Sequence, residues 1–507
     1  MKPMNKWRAA VGLVCFILLS LPIAGAQEPR PPTEPPAPTS TPAPARSHLF
    51  LYIVDGLGAT EIPAFGYPRM TAVHLGSQMD RGVTFLTHYS VSPWTVPSVA
   101  SLFTSLYPSA HGVQKAGDRL PAAAKTLAEL MKENGYETAL FSAHPLVGPL
   151  SGLDQGFDWV EEVPGPFSPT PARGPAETSA TLNRRILTWL EKRVSSAPTF
   201  ITVVSGDLLE PFGAPDPQGS QFIGPEELAW YREVRGKLLA MRPGPLSLAT
   251  GKDLELLKVD PTQFATAARK VYDGAIYFND RQIRGLRDTL ESREGWRDTL
   301  FVVTSTHGIE FLEHGLFGHG TSLYDSSILV PVVMSHARLF PKPNQIRSPT
   351  ASVDLMPTIL TLLQIPVPGS AQGLERDLGL NPQSLRGARP VFSEAQPAGE
   401  LPTGTMSMVA ENSLKYIAAD ELPAGVERKE LELFRMVQTP ADWEKKNWVA
   451  SAPVILSRER DYLIAWRAEK GKLQLSPDPA PSSPDPRLKE VLGALGYLQG
   501  REPIKVP

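Results

Sequence analysis

Cysteine is nearly missing from this chain. Its 507 residues contain one, Cys15, so no intramolecular disulfide can close and no thiolate cluster can hold a metal. An excess of charge is missing as well: 50 Lys and Arg stand against 53 Asp and Glu, a formal charge of -3. That balance offers no basic field to nucleic acid or to an acidic membrane surface. No apolar run reaches the ~20 residues that span a bilayer, the stretch Ala9–Leu21 included. Histidine is sparse, nine in all, which makes any cluster of them informative.

What is present is the material of a large globular protein. Apolar residues make up 42% and charged residues 20%, enough for a sizeable core, and the length allows about three domains at most. Lys2, Lys6 and Arg8 precede the run Ala9–Leu21, followed by Pro22 and Ala24-Gly25-Ala26. This three-part pattern predicts a signal peptide over residues 1–26, cleavage before Gln27, and an exported protein, periplasmic or extracellular, with no integral span once the leader is removed. The 52 prolines cluster, eight of them between residues 28 and 46, so residues 27–46 read as an extended linker. A second such stretch, 476–487, precedes a short helix in which Asp485 caps, Pro486 takes the first turn, and Leu488, Val491, Leu492 and Leu495 share one face.

Three short apolar runs end alike. HLFLYIVDG (His48–Gly56), TFITVVSGD (Thr199–Asp207) and TLFVVTSTHG (Thr299–Gly308) each close on small and polar residues, and TALFS (Thr138–Ser142) is a fourth candidate strand. Helical spacing lies between them: Thr126 caps a segment with Leu127, Leu130 and Met131, and Ile276, Ile283, Leu286 and Leu290 follow a period near 3.6. Alternating strands and helices predict a mostly parallel sheet covered on both faces, with ligands bound where the strands end. Asp55, Asp207, Thr306 and His307 all fall there.

Two further segments point to the same edge. SPWTVPSVASLF (residues 92–103) sets Thr95 at the start of a helix with Pro97 in its first turn. A hydroxyl there lies beside free amide groups where an anion binds well, although a plain capping threonine fits the same letters. HGIEFLEHGLFGHGTSLYD then brings His307, His314 and His319 within thirteen residues, a glycine-rich loop suited to aiming imidazoles at a metal or an anion.

In their order along the chain these segments resemble the sulfatases of the alkaline phosphatase superfamily. LYIVDGLGA resembles the opening strand, MDRGVTFLTHYSVSPWTVPSVASLFTSLYPSAHGV the segment around the nucleophile, and TLAELMKENGYETALF the helix and strand that follow. THGIEFLEHGLFGHGTSLYDSSILVPVVM resembles the metal and substrate loop, and SVDLMPTILTLLQIPVPGSAQG the segment after it. FSEA, SLKYI, LELFRM and LGALGYL resemble the smaller C-terminal sheet and tail. The resemblance implies an α/β fold with a mixed, mostly parallel sheet flanked by helices over residues 47–390. It also implies a smaller C-terminal α+β subdomain and tail over 391–507.

For the site, it implies Thr95 as nucleophile, Asp55 and His307 as ligands of one divalent cation (calcium, magnesium, manganese or zinc), and His319 against the anionic part of a sulfate or phosphate ester. His314 and Asp207 are further candidates for contact with the substrate or another anionic ligand. The family pattern is not complete. Sulfatases convert the first residue of Cys-x-Pro-Ser-Arg to formylglycine, and the matching stretch is Thr95-Val96-Pro97-Ser98-Val99, from which that aldehyde cannot form. Gly56, Val99, Leu209 and Thr306 occupy positions where polar groups are expected, so the sequence predicts an eroded site that is weakly active or serves binding alone. The alternative is a metal-dependent sulfate or phosphate ester hydrolase using unmodified Thr95.

Overall fold

The structure is a computed structural model. It describes residues 46–115, 117–165, 178–212, 214–241, 249–320, 322–376, 378, 389–395, 406–411, 414–419, 431–435, 444, 446–470, 473–478 and 485–494. The signal-peptide and linker segments expected at 1–26 and 27–46 lie outside these, apart from Arg46, as do Thr321 and Leu495.

The described residues from Arg46 onward form one compact unit. In chain order its strands are β1 (His48–Val54), β2 (Val83–Phe85), β3 (His88–Tyr89), β4 (Glu137–Ser142), β5 (Trp159–Glu162), β6 (Thr199–Ser205), β7 (Thr299–Ser305) and β8 (Glu310–Phe311). Then follow β9 (Phe317–Gly318), β10 (Val332–Ser335), β11 (Asn344–Ile346), β12 (Thr350–Ala351), β13 (Val391–Ala395), β14 (Met406–Glu411), β15 (Leu414–Ala419) and β16 (Leu431–Arg435). Eight of them build the main sheet in the order β11-β2-β10-β7-β1-β6-β4-β5. Its four central strands β7, β1, β6 and β4 are parallel, and β10 runs antiparallel beside β7. The expected α/β fold with a mixed, mostly parallel sheet is therefore the one observed.

The strands read as near-continuous apolar runs because both faces are covered. Phe50, Tyr52 and Val54 of β1 belong to one core cluster, and Leu49, Leu51 and Ile53 to the cluster on the other face. The four-stranded antiparallel sheet β13-β14-β15-β16 follows. The helix Pro486–Ala494 begins as its letters require: the amide of Arg487 donates to Asp485 Oδ1 at 2.8 Å. Its Val491 is buried in the second cluster, with Leu488 and Leu492 against it.

Registers explain why the polar residues converge. Val54 of β1 is level with Ser205 of β6 and with Ser305 of β7. The residues just beyond, Asp55 on one strand and Thr306 with His307 on the next, leave the sheet side by side. The turn is held by Ser305, whose hydroxyl accepts from the amide of Leu57 and donates to the carbonyl of His307, both at 2.9 Å.

One helix start is completed from afar. The helix Val73–Met79 has no side-chain cap of its own at Ala72. Instead Asp280, on the long helix Pro261–Glu291, accepts the amides of His74 and Leu75 at 2.8 Å each. Burial pushes the Asp280 carboxyl up from 3.8 to about 6, against those two amide bonds, which pull it down. A proton is thus held more tightly in the folded state, and the stability it lends is fully present below pH 3.8 and lost as pH rises through about 6. Urea midpoints of the wild type relative to Asp280→Asn are expected to fall across that window and level off above it. A difference that rises instead would mean that the amide bonds outweigh burial.

Candidate active site

The helix Thr95–Thr104 is buried along its whole length. Its cap position is Trp94, and no side chain caps the first amides, so Thr95 is not a capping threonine. Its hydroxyl turns into the sheet edge, 3.0 and 3.1 Å from the two Asp55 oxygens and 3.2 Å from His307 Nε2. Ser98, one turn on, ties the helix to the strand end by donating to the carbonyl of Thr306 at 2.8 Å.

Asp55 and His307 are fully buried and Thr95 is 5% exposed. His307 Nδ1 lies 2.9 Å from the carbonyl of Gly308, which only accepts, so Nδ1 carries a proton. Nε2 then points at Thr95 and, at 3.3 Å, at Asp55 Oδ1, as a bare lone pair whenever the ring is neutral. The Thr306 hydroxyl donates to Asp55 Oδ1. Burial would raise the Asp55 carboxyl, but the hydrogen bond and charge of His307, with Thr306, hold it below its ordinary value, so it is a carboxylate at neutral pH.

His319 stacks on the His307 ring at 4.3 Å between centroids and meets the edge of Trp94 at 5.5 Å. The loop can make this approach because Gly320 adopts φ +88°, and a Cβ there would fall 2.4 Å from the indole. Burial and then the neighbouring His307 keep His319 well below the usual imidazole range. It is a neutral ring, able to donate one N–H but not to act as a cationic clamp.

The remaining candidates stand apart. Asp207 accepts from the amide and hydroxyl of Thr178, the amide of Ser179 and the side chain of Asn279. Both oxygens are used in holding the start of the helix Thr178–Lys192, so substrate contact at Asp207 is not what the structure shows. His314 bonds Glu310 at 2.9 Å and stacks on Tyr324, ordering the loop against β16, where Glu432 accepts from the Tyr324 hydroxyl. One further buried histidine, His144, is not among the residues singled out from the sequence. It is buried within electrostatic reach of Asp55, His307 and His319. Its signal was its place directly after β4, the same strand-end rule that found Asp55 and His307.

The four departures from the family pattern are not independent. Gly56 has φ +87°, and a Cβ on it would lie 3.0 Å from the Leu208 carbonyl and 3.4 Å from the Leu209 side chain. Gly56 and Leu209 are therefore two sides of one contact. Val99 is fully buried in the apolar cluster beneath the helix, and Thr306 still donates to Asp55.

A family model described as Sulfatase matches residues 47–365. The chain belongs to the sulfatase family. Similarity to the Delta 4,5-hexuronate-2-O-sulfatase of Bacteroides thetaiotaomicron is 24% identity over 486 residues, 86% of this chain and 95% of that one. Arylsulfatase K of Rattus norvegicus is 23% identical over 379 residues, covering 67% and 64%. Among solved structures, the phosphonate monoester hydrolase of Agrobacterium radiobacter superposes with a TM-score of 0.65 at 20% identity, over 84% of this chain and 96% of its own, a likeness of fold. Among the described residues no helix of this family member is long and apolar enough to cross a membrane.

A cation can be tested against these donors. Among the described residues no group of three or more His, Cys, Asp or Glu side chains is placed to hold a metal; the set here is Asp55, His307 and a hydroxyl. Asp55 Oδ1, Thr95 Oγ1 and His307 Nε2 form a triangle with sides of 3.0, 3.2 and 3.3 Å. A tetrahedral ion with bonds of ~2.0–2.1 Å holds its donors roughly 3.3–3.4 Å apart. The Nδ1 bond to a backbone carbonyl is the outer-shell contact that orients a ligating imidazole. One carboxylate is too few for calcium or magnesium, which want several oxygens; of the usual ligand types of zinc the site offers two, Asp55 and His307.

Proposed function

We propose that this sulfatase-family protein is an exported hydrolase of sulfate or phosphate esters that uses unmodified Thr95 and a single zinc-like cation. The observation that supports it most is the triangle of Asp55, Thr95 and His307, with His307 Nε2 facing both oxygens. The leader-like residues 1–26 support export.

When bound, the cation supplies positive charge that lowers the pKa of the threonine hydroxyl and balances the ester oxygens. The chain does the rest. Asp55 Oδ2, 3.1 Å from Thr95 Oγ1, takes the hydroxyl proton as the oxygen attacks phosphorus or sulfur. The bond to the alcohol breaks, the alcohol takes up a proton, and water then cleaves the threonine ester. His319 donates its N–H to a non-bridging oxygen, and Trp94 walls that side. A carboxylate with a lowered pKa is a weak base, so turnover is slow.

A second reading, that the site holds an ester without cleaving it, draws on one observation: among the described residues Asp55 is the single carboxylate in contact with Thr95, and its oxygens already receive protein hydroxyls. Metal content separates the two. Elemental mass spectrometry of the purified protein should find a tightly held cation that is lost in both Asp55→Ala and His307→Ala. A folded, metal-free wild type without activity on aryl phosphates or aryl sulfates would sink the hydrolase and leave the binding site.

A further inference from the structure

A further feature lies at the opposite end of the central strands. A cavity of about 580 Å³ opens where β7 begins and β10 ends, lined by Thr299 and Ser335. Thr95 is near the far end of β7, and seven residues at ~3.3 Å each put roughly 20 Å between the two sites. The volume suits a small organic molecule.

Its charge is one-sided. Arg81, Arg287 and Arg297 line it against one carboxylate, Glu291, and the apolar wall is Trp296, Phe301 and Phe340. His336, also in the lining, accepts the amides of Arg338 and Leu339 on Nδ1. Its other nitrogen lies 2.9 Å from the Ser47 hydroxyl, and burial keeps the ring below its usual pKa, so it adds no charge. Trp296 is fixed in place by the His48 ring stacked on it at 4.2 Å.

Arg287 is the least exposed of the three arginines. Its side chain is 15% exposed, it is paired through Nε with Glu291, and its guanidinium lies 5.6 Å over the Phe301 ring. Its Nη1 is buried with no hydrogen-bond partner among the described residues. Arg presents its N–H groups in a fork that matches carboxylate, phosphate and sulfate oxygens. Arg81 and Arg297 stand exposed at the rim, where they add attraction for an approaching anion.

We propose that this cavity is a second anion-binding site, separate from the Thr95 centre, for a small organic anion whose sulfate, phosphate or carboxylate head meets Arg287 while a flat ring lies against Trp296 and Phe340. The test is calorimetric titration of the full chain with phenyl phosphate, phenyl sulfate and benzoate, with phenyltrimethylammonium as the charge control. Saturable binding of at least one of the anions and none of the cation is expected, and the ranking of the three identifies the preferred head group. Loss of a charge-assisted contact should weaken binding about tenfold in Arg287→Gln, and the double change Arg81→Ser with Arg297→Ser, confined to exposed side chains, should weaken it in a chain that folds as the wild type does. His319→Ala, which alters only the Thr95 site, should leave this binding unchanged. No saturable binding of any anion, or binding that survives the arginine variants and is lost in His319→Ala, overturns the proposal.

Discussion

Thr95→Ala is expected to lower ester hydrolysis by about 10³-fold or more, the scale on which removal of an attacking hydroxyl acts. Thr95→Ser keeps the hydroxyl at the same helix start and should retain measurable turnover. Thr95→Ser keeps the hydroxyl contacts with Asp55 and His307 that Thr95→Ala removes, so denaturant midpoints measured beside the rates separate a loss of stability from a loss of turnover. Initial rates on aryl phosphate and aryl sulfate esters provide the measurement. If Thr95→Ala works as fast as the wild type, nucleophilic catalysis at this residue is wrong.

The largest loss of stability should come from a residue that does not touch that hydroxyl. Lys415 on β15 is fully buried, bonded to Asp325 and, at 2.7 Å, to Glu444, with its ammonium 5.2 Å from the Tyr89 ring centroid. These bonds join the C-terminal sheet to the residue that follows Tyr324. Lys415→Met strands the carboxylates without their cation, and breaking a buried pair in this way typically costs about 3–5 kcal/mol. Denaturant unfolding should show that loss, and a second change, Asp325→Asn, should recover part of it. A loss below ~1 kcal/mol, the range of exposed pairs, would show that water reaches Lys415 in solution.

Much of the site was legible before the fold was known because strand ends are legible. Apolar runs that stop at Asp55, Asp207 and Thr306-His307 mark one edge of a parallel sheet, and a helix start at Thr95 marks the same edge. Position along a strand does not tell which way a side chain turns once the strand stops. Asp207 turned away to cap a helix, while His144, just past the end of β4, turned to within electrostatic reach of Asp55.

The same limit applies to the departures from the family pattern. Read as letters, Gly56 and Leu209 are two losses; in space they are one contact, since the backbone at Gly56 leaves no room for a Cβ beside Leu208 and Leu209.

By itself the amino-acid sequence determined the alternation of strands and helices, the edge at which polar residues gather, and the exclusion of formylglycine and thiolate chemistry. Those follow from local periodicity and from residue identity, which need no partner. The tertiary structure alone decided that Thr95, Asp55 and His307 close into a triangle, that Asp207 is spent on a helix, and that three arginines surround a cavity at the opposite end of the central strands. Each depends on contacts between segments tens to hundreds of residues apart, set by strand register and side-chain direction rather than by any local pattern.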